Sequence, residues 1–245
     1  MSHSAAILVI GDEILSGRTQ DTNTHYIAGR LTALGIDLKE CRVVADVEAE
    51  IVAALNALRT RYDFVFTTGG IGPTHDDITA DAVAKAFGVG IGFHAETFSL
   101  MEANYGKSQF NPMRQRMARL PHGAMPIPNS ASVAPGFRIG NVFVMAGVPR
   151  VMRAMMETIE PILPCGAPVI AITVSAKIGE GLVAAGLAEI QNAHADVSIG
   201  SYPFYTDDGF GVELVARSRD AGAVEKAARE IEKLLTSLGA TPERR

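Results

Sequence analysis

The sequence has no tryptophan, only 6% aromatic residues and only two cysteines. Cys41 and Cys165 lie far apart, with neither CxxC spacing nor a neighbouring Cys/His cluster. This excludes a disulfide framework and a structural zinc site. Excess positive charge is also missing: the formal net charge is -5 and the pI is near 5.7. Nothing in that balance draws the chain to nucleic acid or to an anionic membrane. The apolar run AAILVI follows Met1, Ser2, His3 and Ser4 without a basic stretch, and it is too short for a signal or membrane helix. A cytoplasmic protein acting on a small molecule is the expectation. There is no long repeat and no low-complexity tract.

What is present is alternation. AAILVIG at 5–11 reads as a buried strand, TNTHYIAGRLTALG at 22–35 as a helix closed by glycine, and IDLKECRVV at 36–44 as a second strand. Ile51, Leu55, Leu58 and Tyr62 line one face of another helix, followed by the strand DFVFTT at 63–68. Strand and helix in this order imply α/β architecture with a mostly parallel sheet covered on both faces. Further on, GFRIGNVFVMAG at 136–147 reads as a hairpin turning at Gly140 and Asn141, and Pro149 opens a helix. The composition shifts near Pro164. Residues 1–166 are therefore expected to form one domain, and 167–245 a small α+β domain without a catalytic cluster. Within the latter, TDDG at 206–209 reads as a hairpin turn and the final PERR as a frayed tail.

FTTGGIGPTHDDIT at 66–79 concentrates chemistry in one strand-to-helix turn. Gly69, Gly70 and Gly72 let backbone amides approach an anion, and Thr79 is expected to cap the next helix, whose amino end adds donors. Two carboxylates, Asp76 and Asp77, beside a phosphate call for a bridging divalent cation, with magnesium the natural choice for hard oxygen ligands. The turn is neither GxxxxGK[ST] nor GxGxxG, and glycine-rich turns also serve α/β folds with no ligand at all. Asp12 and Glu13 after the first strand, and Asp46 after the second, would extend an acidic mouth along the same sheet edge, although Asp46 also suits a helix cap. Asn129, Ser130 and Ser132, with AGVPR at 146–150, offer polar and cationic walls. His75 is expected to be solvated, and Arg114, Arg116 and Arg119 to be spread around a helix on a solvated surface.

IGDEILSG, the pair Thr22-Asn23, TTGGIGPTHDDIT, APGF and AGVPR occur in this order over about two thirds of the chain. Together they resemble the molybdopterin-binding (MoaB/Mog) domain family. The resemblance is nearest to the branch forming the amino-terminal part of competence/damage-inducible protein A (CinA), and to the related domain fused to some FAD synthases. The segment with IGSYP at 199–203 is similar to the part that follows this domain in CinA-like proteins.

The resemblance implies a three-layer α/β/α sandwich and a pocket for a nucleotide- or pterin-phosphate. By motif position its ligand contacts are Thr68, Gly69, Gly70, Gly72, Thr74, Asn23, Ser130, Gly147 and Pro149. Asp77, Asp46 and Asp12 are its expected metal ligands, and Asp77, Asp76 and Glu13 its expected catalytic carboxylates. The branch implies magnesium-dependent hydrolysis of a pyrophosphate bond in ADP-ribose- or FAD-like molecules. Molybdopterin binding or adenylylation is the alternative, and a non-catalytic ligand-binding module a third. The family's usual LPGVP appears as MAGVP, with Ala146 in place of the first proline. CinA's carboxy-terminal amidase domain has no counterpart in this sequence, so deamidation is not expected. Related domains form homo-oligomers, for which the methionine-rich helix at 151–159 is one apolar contact, unless its Met152, Met155 and Met156 fill the core.

Overall fold

The computed structural model describes residues 3–206 and 209–245. Two compact units divide the chain, Met1–Gly166 and Ala167–Arg245.

In the first unit, β1 (His3–Ile10), α1 (Asp12–Leu15), α2 (Asn23–Ala33), β2 (Ile36–Val44), α3 (Glu48–Arg61), β3 (Phe64–Thr68) and α4 (Thr79–Phe87) alternate as the pattern predicts. They are followed by β4 (Ile91–Phe93), α5 (Ala95–Tyr105), α6 (Pro112–Gln115), β5 (Arg119–Pro121) and β6 (Met125–Ile127). The hairpin β7 (Gly136–Ile139) and β8 (Val142–Met145) and the helix α7 (Pro149–Ile159) complete the unit. The main sheet runs β2-β1-β3-β8-β7-β6. Its first four strands are mutually parallel, and β7 and β6 join antiparallel.

β1 shows why the sheet is buried on both faces. Ala6, Leu8 and Ile10 enter one core with Ile51, Leu55 and Leu58 of α3 and Val83 of α4. Ala5, Ile7 and Val9 point the other way, to Ile27 and Leu31 of α2 and the methionines of α7. A central parallel strand has no wet face, so an unbroken apolar run replaces alternation. The result is the mixed α/β/α sandwich. Met152, Met155 and Met156 are at most 1% exposed, so this face of α7 fills its own chain's core and does not offer the apolar oligomer contact entertained from sequence. The Gly140-Asn141 turn is formed, and Asn141 Nδ2 donates to the carbonyls of Arg59 and Tyr62 at the end of α3.

The second unit comprises β9 (Ile170–Ala176), α8 (Glu180–Ala193), β10 (Ser198–Thr206), β11 (Gly209–Ser218), α9 (Ala221–Ser237) and β12 (Glu243–Arg244). Its antiparallel sheet, ordered β10-β11-β9-β12, shares one core with Val183 and Ile190 of α8 and Val224, Ile231 and Leu235 of α9. Asp207 and Asp208, the centre of the expected TDDG turn, lie outside the described residues, while the flanking Thr206 and Gly209 are paired. The carboxy-terminal residues expected to fray are instead paired: Glu243 and Arg244 lie against Ser175 and Val174, since the free edge of β9 offers them backbone partners. Among the described residues no helix is long and apolar enough to cross a membrane.

Candidate functional site

Parallel strands β1, β2, β3 and β8 end at one edge of the first unit's sheet, and the loops leaving them are tied together there. Asp12 N donates to Asp46 Oδ2 at 3.0 Å, joining the loops after β1 and β2. Gly69 N donates to Met145 O at 3.2 Å, joining the turn after β3 to the end of β8. Asn23, at the start of α2 and only 6% exposed, donates from Nδ2 to Gly147 O at 2.8 Å and Thr68 Oγ1 at 3.2 Å. A carbonyl accepts only, so the Gly147 bond assigns Nδ2, and Asn23 Oδ1 is left buried without a protein partner.

Steric limits explain two glycines of the turn. Gly69 has φ +109°, and a Cβ there would stand 2.0 Å from Ile10 O; Gly70 has φ +66°, and its Cβ would stand 2.2 Å from Thr79 Oγ1. The loop after β8 presses in as closely, since a Cβ on Gly147 would meet Gly69 Cα at 3.3 Å.

These loops wall an open cleft of about 520 Å3, with Glu13, Gly69, Gly70, Gly72, Asp77, Gly147 and Pro149 among its lining. A smaller adjoining recess of about 50 Å3 adds Thr68 and Asn23. Asp12, Asp46, Thr74, Asp76 and Ser130 are not part of either lining. Ser132 takes the place in the cleft that the motif reading gave to Ser130, which is exposed. Thr19, Met117, Val148, Val151 and Met155 also line the cleft. They were not singled out as ligand contacts, because apolar and threonine side chains, on loops or in α7, carry no signal that separates cleft from core.

The turn's hydrogen bonds revise the expected donors. The amides of Gly69 and Gly72 are already engaged, by Met145 O and by Asp77 Oδ1 at 2.7 Å. The amides of Gly70, Ile71, Gly147 and Val148 donate to no protein acceptor among the described residues. Free N–H groups from two apposed loops, at the mouth of a cleft, are the chemistry of an anion cradle. Thr79 is not the helix cap. It is the first residue of α4, with Ile78 before it, and its hydroxyl donates to Gly69 O at 3.0 Å, bracing the turn from below.

The carboxylates also differ from the expectation. Asp77 accepts from Gly72 N and Thr74 N, each at 2.7 Å, and from the Thr74 hydroxyl, so it pins its own loop. Among the described residues no three or more His, Cys, Asp or Glu side chains converge closely enough to hold a metal. The set Asp12, Asp46 and Asp77 is therefore not a protein-only metal centre, because Asp77 is turned into its loop. Asp46 does not cap α3, whose N-cap is Val47. Its partly buried carboxyl is pushed above its ordinary value, first by desolvation and also by the charges of Asp12, Glu13 and Asp76, against the opposing bond from the Asp12 amide. His75 is solvated, as expected. All three arginines depart from the solvated surface: Arg114 donates to Gln109 O at 2.9 Å and lies over the Tyr105 ring, while Arg119 pairs with Asp81, at 2.7 Å for the shorter contact, and Arg116 Nη2 donates to Asp77 O at 3.2 Å. Arg116 and Arg119 fold back over α4 and the turn because the 3-10 turn at Arg116–Ala118 breaks the helix that was expected to splay them.

With this geometry in place, the sequence profile described as a probable molybdopterin binding domain matches residues 6–164. The chain belongs to the molybdopterin-binding domain family. A second profile, the FAD synthase middle domain, matches residues 168–243. A relative from Pyrobaculum arsenaticum is 33% identical over 245 residues, covering 96% of this chain and 92% of the relative. Another from Pyrobaculum aerophilum is 35% identical over 214 residues, covering 83% and 80%. Among solved structures, the CinA protein of Thermoplasma acidophilum, described as of unknown function, is similar to this chain. It is 33% identical with a TM-score of 0.63, covering 66% of this chain and 98% of that one.

Proposed function

We propose that the cleft binds a nucleotide- or pterin-phosphate and that the protein hydrolyses a pyrophosphate bond in ADP-ribose- or FAD-like molecules. The observation that carries this reading is the pair of apposed loops whose amides at Gly70, Ile71, Gly147 and Val148 have no protein acceptor. Four uncommitted N–H donors on residues that line one open cleft suit the oxygens of a phosphate better than an uncharged ligand, because hydrogen bonds to a charged acceptor are stronger than those to a neutral one.

The donor set fits a magnesium ion that arrives with the ligand. Magnesium is commonly held by one or two carboxylates plus substrate phosphates, and Asp46 and Asp12, on joined loops at the cleft's sheet edge though outside its lining, are the carboxylates that would hold it. Asp46 is raised first by burial and then by the neighbouring carboxylates, and a cation would offset the repulsion among those carboxylates. When bound, such an ion supplies Lewis acidity and a more acidic water. The chain's own residues do the rest. The four amides hold the phosphate oxygens and stabilise charge that develops on them. Glu13, one of the residues lining the cleft, accepts the proton of the attacking water. The water oxygen forms a new P–O bond, the bridging P–O bond breaks, and the departing phosphate keeps the bridging oxygen, so one water is consumed and two phosphate monoesters leave. Asp77 acts indirectly, by fixing the turn that presents the Gly70 and Ile71 amides.

The family match favours a second reading, in which the ligand is molybdopterin and the protein binds or adenylylates it. One experiment separates the two. Protein supplied with magnesium is incubated with ADP-ribose, with FAD, and with molybdopterin plus ATP, and the products are resolved by chromatography. Formation of AMP from ADP-ribose or FAD supports hydrolysis. Adenylylated pterin with no cleavage of either dinucleotide overturns it.

A further inference from the structure

Beside the cleft lies a second cavity, of about 370 Å3, with no assigned role. The two cavities share Ser132 and Pro135. Each has a volume within the roughly 300–1,000 Å3 common for small-molecule sites. The rest of the second is lined by the apolar Pro126, Pro128, Val133 and Leu100 of α5, together with the polar Glu96, Thr97 and Asn129. Leu100 is 58% exposed at this mouth, an uncovered apolar side chain beside an open cavity.

The partition between the cavities is built to stay in place. Asn129 Oδ1 accepts from the amides of Ala131 and Ser132, and its Nδ2 donates to Ala134 O. Thr158 Oγ1 donates to Pro128 O, anchoring the same segment to α7. Ser132 Oγ accepts from Ala134 N, while its own proton goes to no protein acceptor among the described residues. A hydroxyl donor is thus left uncommitted at the boundary of the two cavities.

We propose that this second cavity is a ring subsite. It takes one flat heteroaromatic ring of a dinucleotide whose pyrophosphate lies in the glycine-turn cleft, with Ser132 donating to the linker at the crossing. The inference rests on the phosphate-binding reading of the cleft. Proline faces and Leu100 cover the ring, and Glu96 accepts from an N–H on its edge. A two-ring dinucleotide fills both cavities; ADP-ribose, with one ring, fills one.

The test is calorimetric titration of the full chain in metal-free buffer with inorganic pyrophosphate, AMP, FMN, ADP-ribose and FAD. FAD is expected to bind at least about tenfold more tightly than AMP, FMN or ADP-ribose, since linking two binding halves adds affinity. Leu100→Asp, at an exposed position that leaves the core untouched, and Val133→Trp, which fills the cavity, should each remove that tenfold advantage. Both should leave pyrophosphate within about twofold of its original affinity. If Val133→Trp does not fold by thermal melt, Leu100→Asp decides alone. FAD binding no tighter than its halves, an unchanged FAD affinity in Leu100→Asp, or equal weakening of FAD and pyrophosphate overturns the subsite while the phosphate cleft stands. Wild type that binds none of the five overturns the cleft reading and the subsite together.

Discussion

Substituting Asp77 by asparagine should loosen the glycine turn before it affects anything else. Its carboxylate accepts from two backbone amides, Gly72 N and Thr74 N, and from the Thr74 hydroxyl. Asparagine retains one carbonyl oxygen. Its NH2 group then faces an amide donor, so one of the two backbone bonds is lost and a donor meets a donor. A hydrogen bond to a charged acceptor contributes about 1.5–3 kcal/mol, and discounting for half-exposure leaves about 1–2 kcal/mol for the local turn. That corresponds to roughly 5- to 30-fold more frequent opening. Hydrogen exchange, read residue by residue, should show the Gly72 and Thr74 amides accelerated by this factor, with the core strands β1 and β3 unchanged and a normal melt. Asp76→Asn, at an exposed position, should leave both amides as they were. Unchanged exchange at Gly72 and Thr74 in Asp77→Asn, combined with lost magnesium binding, would refute the pinning role and return Asp77 to the metal.

Gly70→Ala should destabilise the first unit by about 1–2 kcal/mol through the left-handed backbone, with the Thr79 contact adding to it, read as a lower denaturation midpoint. Asn23→Ala removes the link between Thr68 and Gly147 but also the unpartnered Oδ1, so about 1 kcal/mol is expected, with faster exchange around 147. Asp46 has a raised folded-state pKa, so its ionisation opposes folding: the stability it contributes is present below its ordinary pKa and lost as pH rises through the raised value. Asp46→Asn should accordingly raise Tm at neutral pH without metal, with the gain vanishing in acid; an equal gain at both pH values would contradict it.

The fold was legible because its signals are local and redundant. The apolar run of β1, the face of Ile51, Leu55, Leu58 and Tyr62, and the Gly140-Asn141 turn each point to one structure, and all are realised. Most of the site's backbone was legible too, because Gly69 and Gly70 occupy positions no side chain could enter. Sequence could not reveal where individual hydrogen bonds go. A carboxylate three residues from a threonine and five from a glycine can bind a metal or close its own loop, and only the folded turn separates these for Asp77. Ser130 and Ser132 are chemically alike, and the Asn129-centred turn decides which of them faces the cleft. Arg116 and Arg119 were misplaced because a helical period was extended over a segment that breaks into a 3-10 turn.

The central claim is that two apposed loops cradle a phosphate whose pyrophosphate bond is then cleaved. Its most direct test is a time course of full-chain protein with FAD, with and without magnesium, following AMP and FMN. The account predicts equal amounts of AMP and FMN in the magnesium reaction, near-complete loss of product on chelation, and strong inhibition by inorganic pyrophosphate competing for the cradle. FAD left intact with magnesium present, although pyrophosphate binds, would contradict hydrolysis and leave only a binding site.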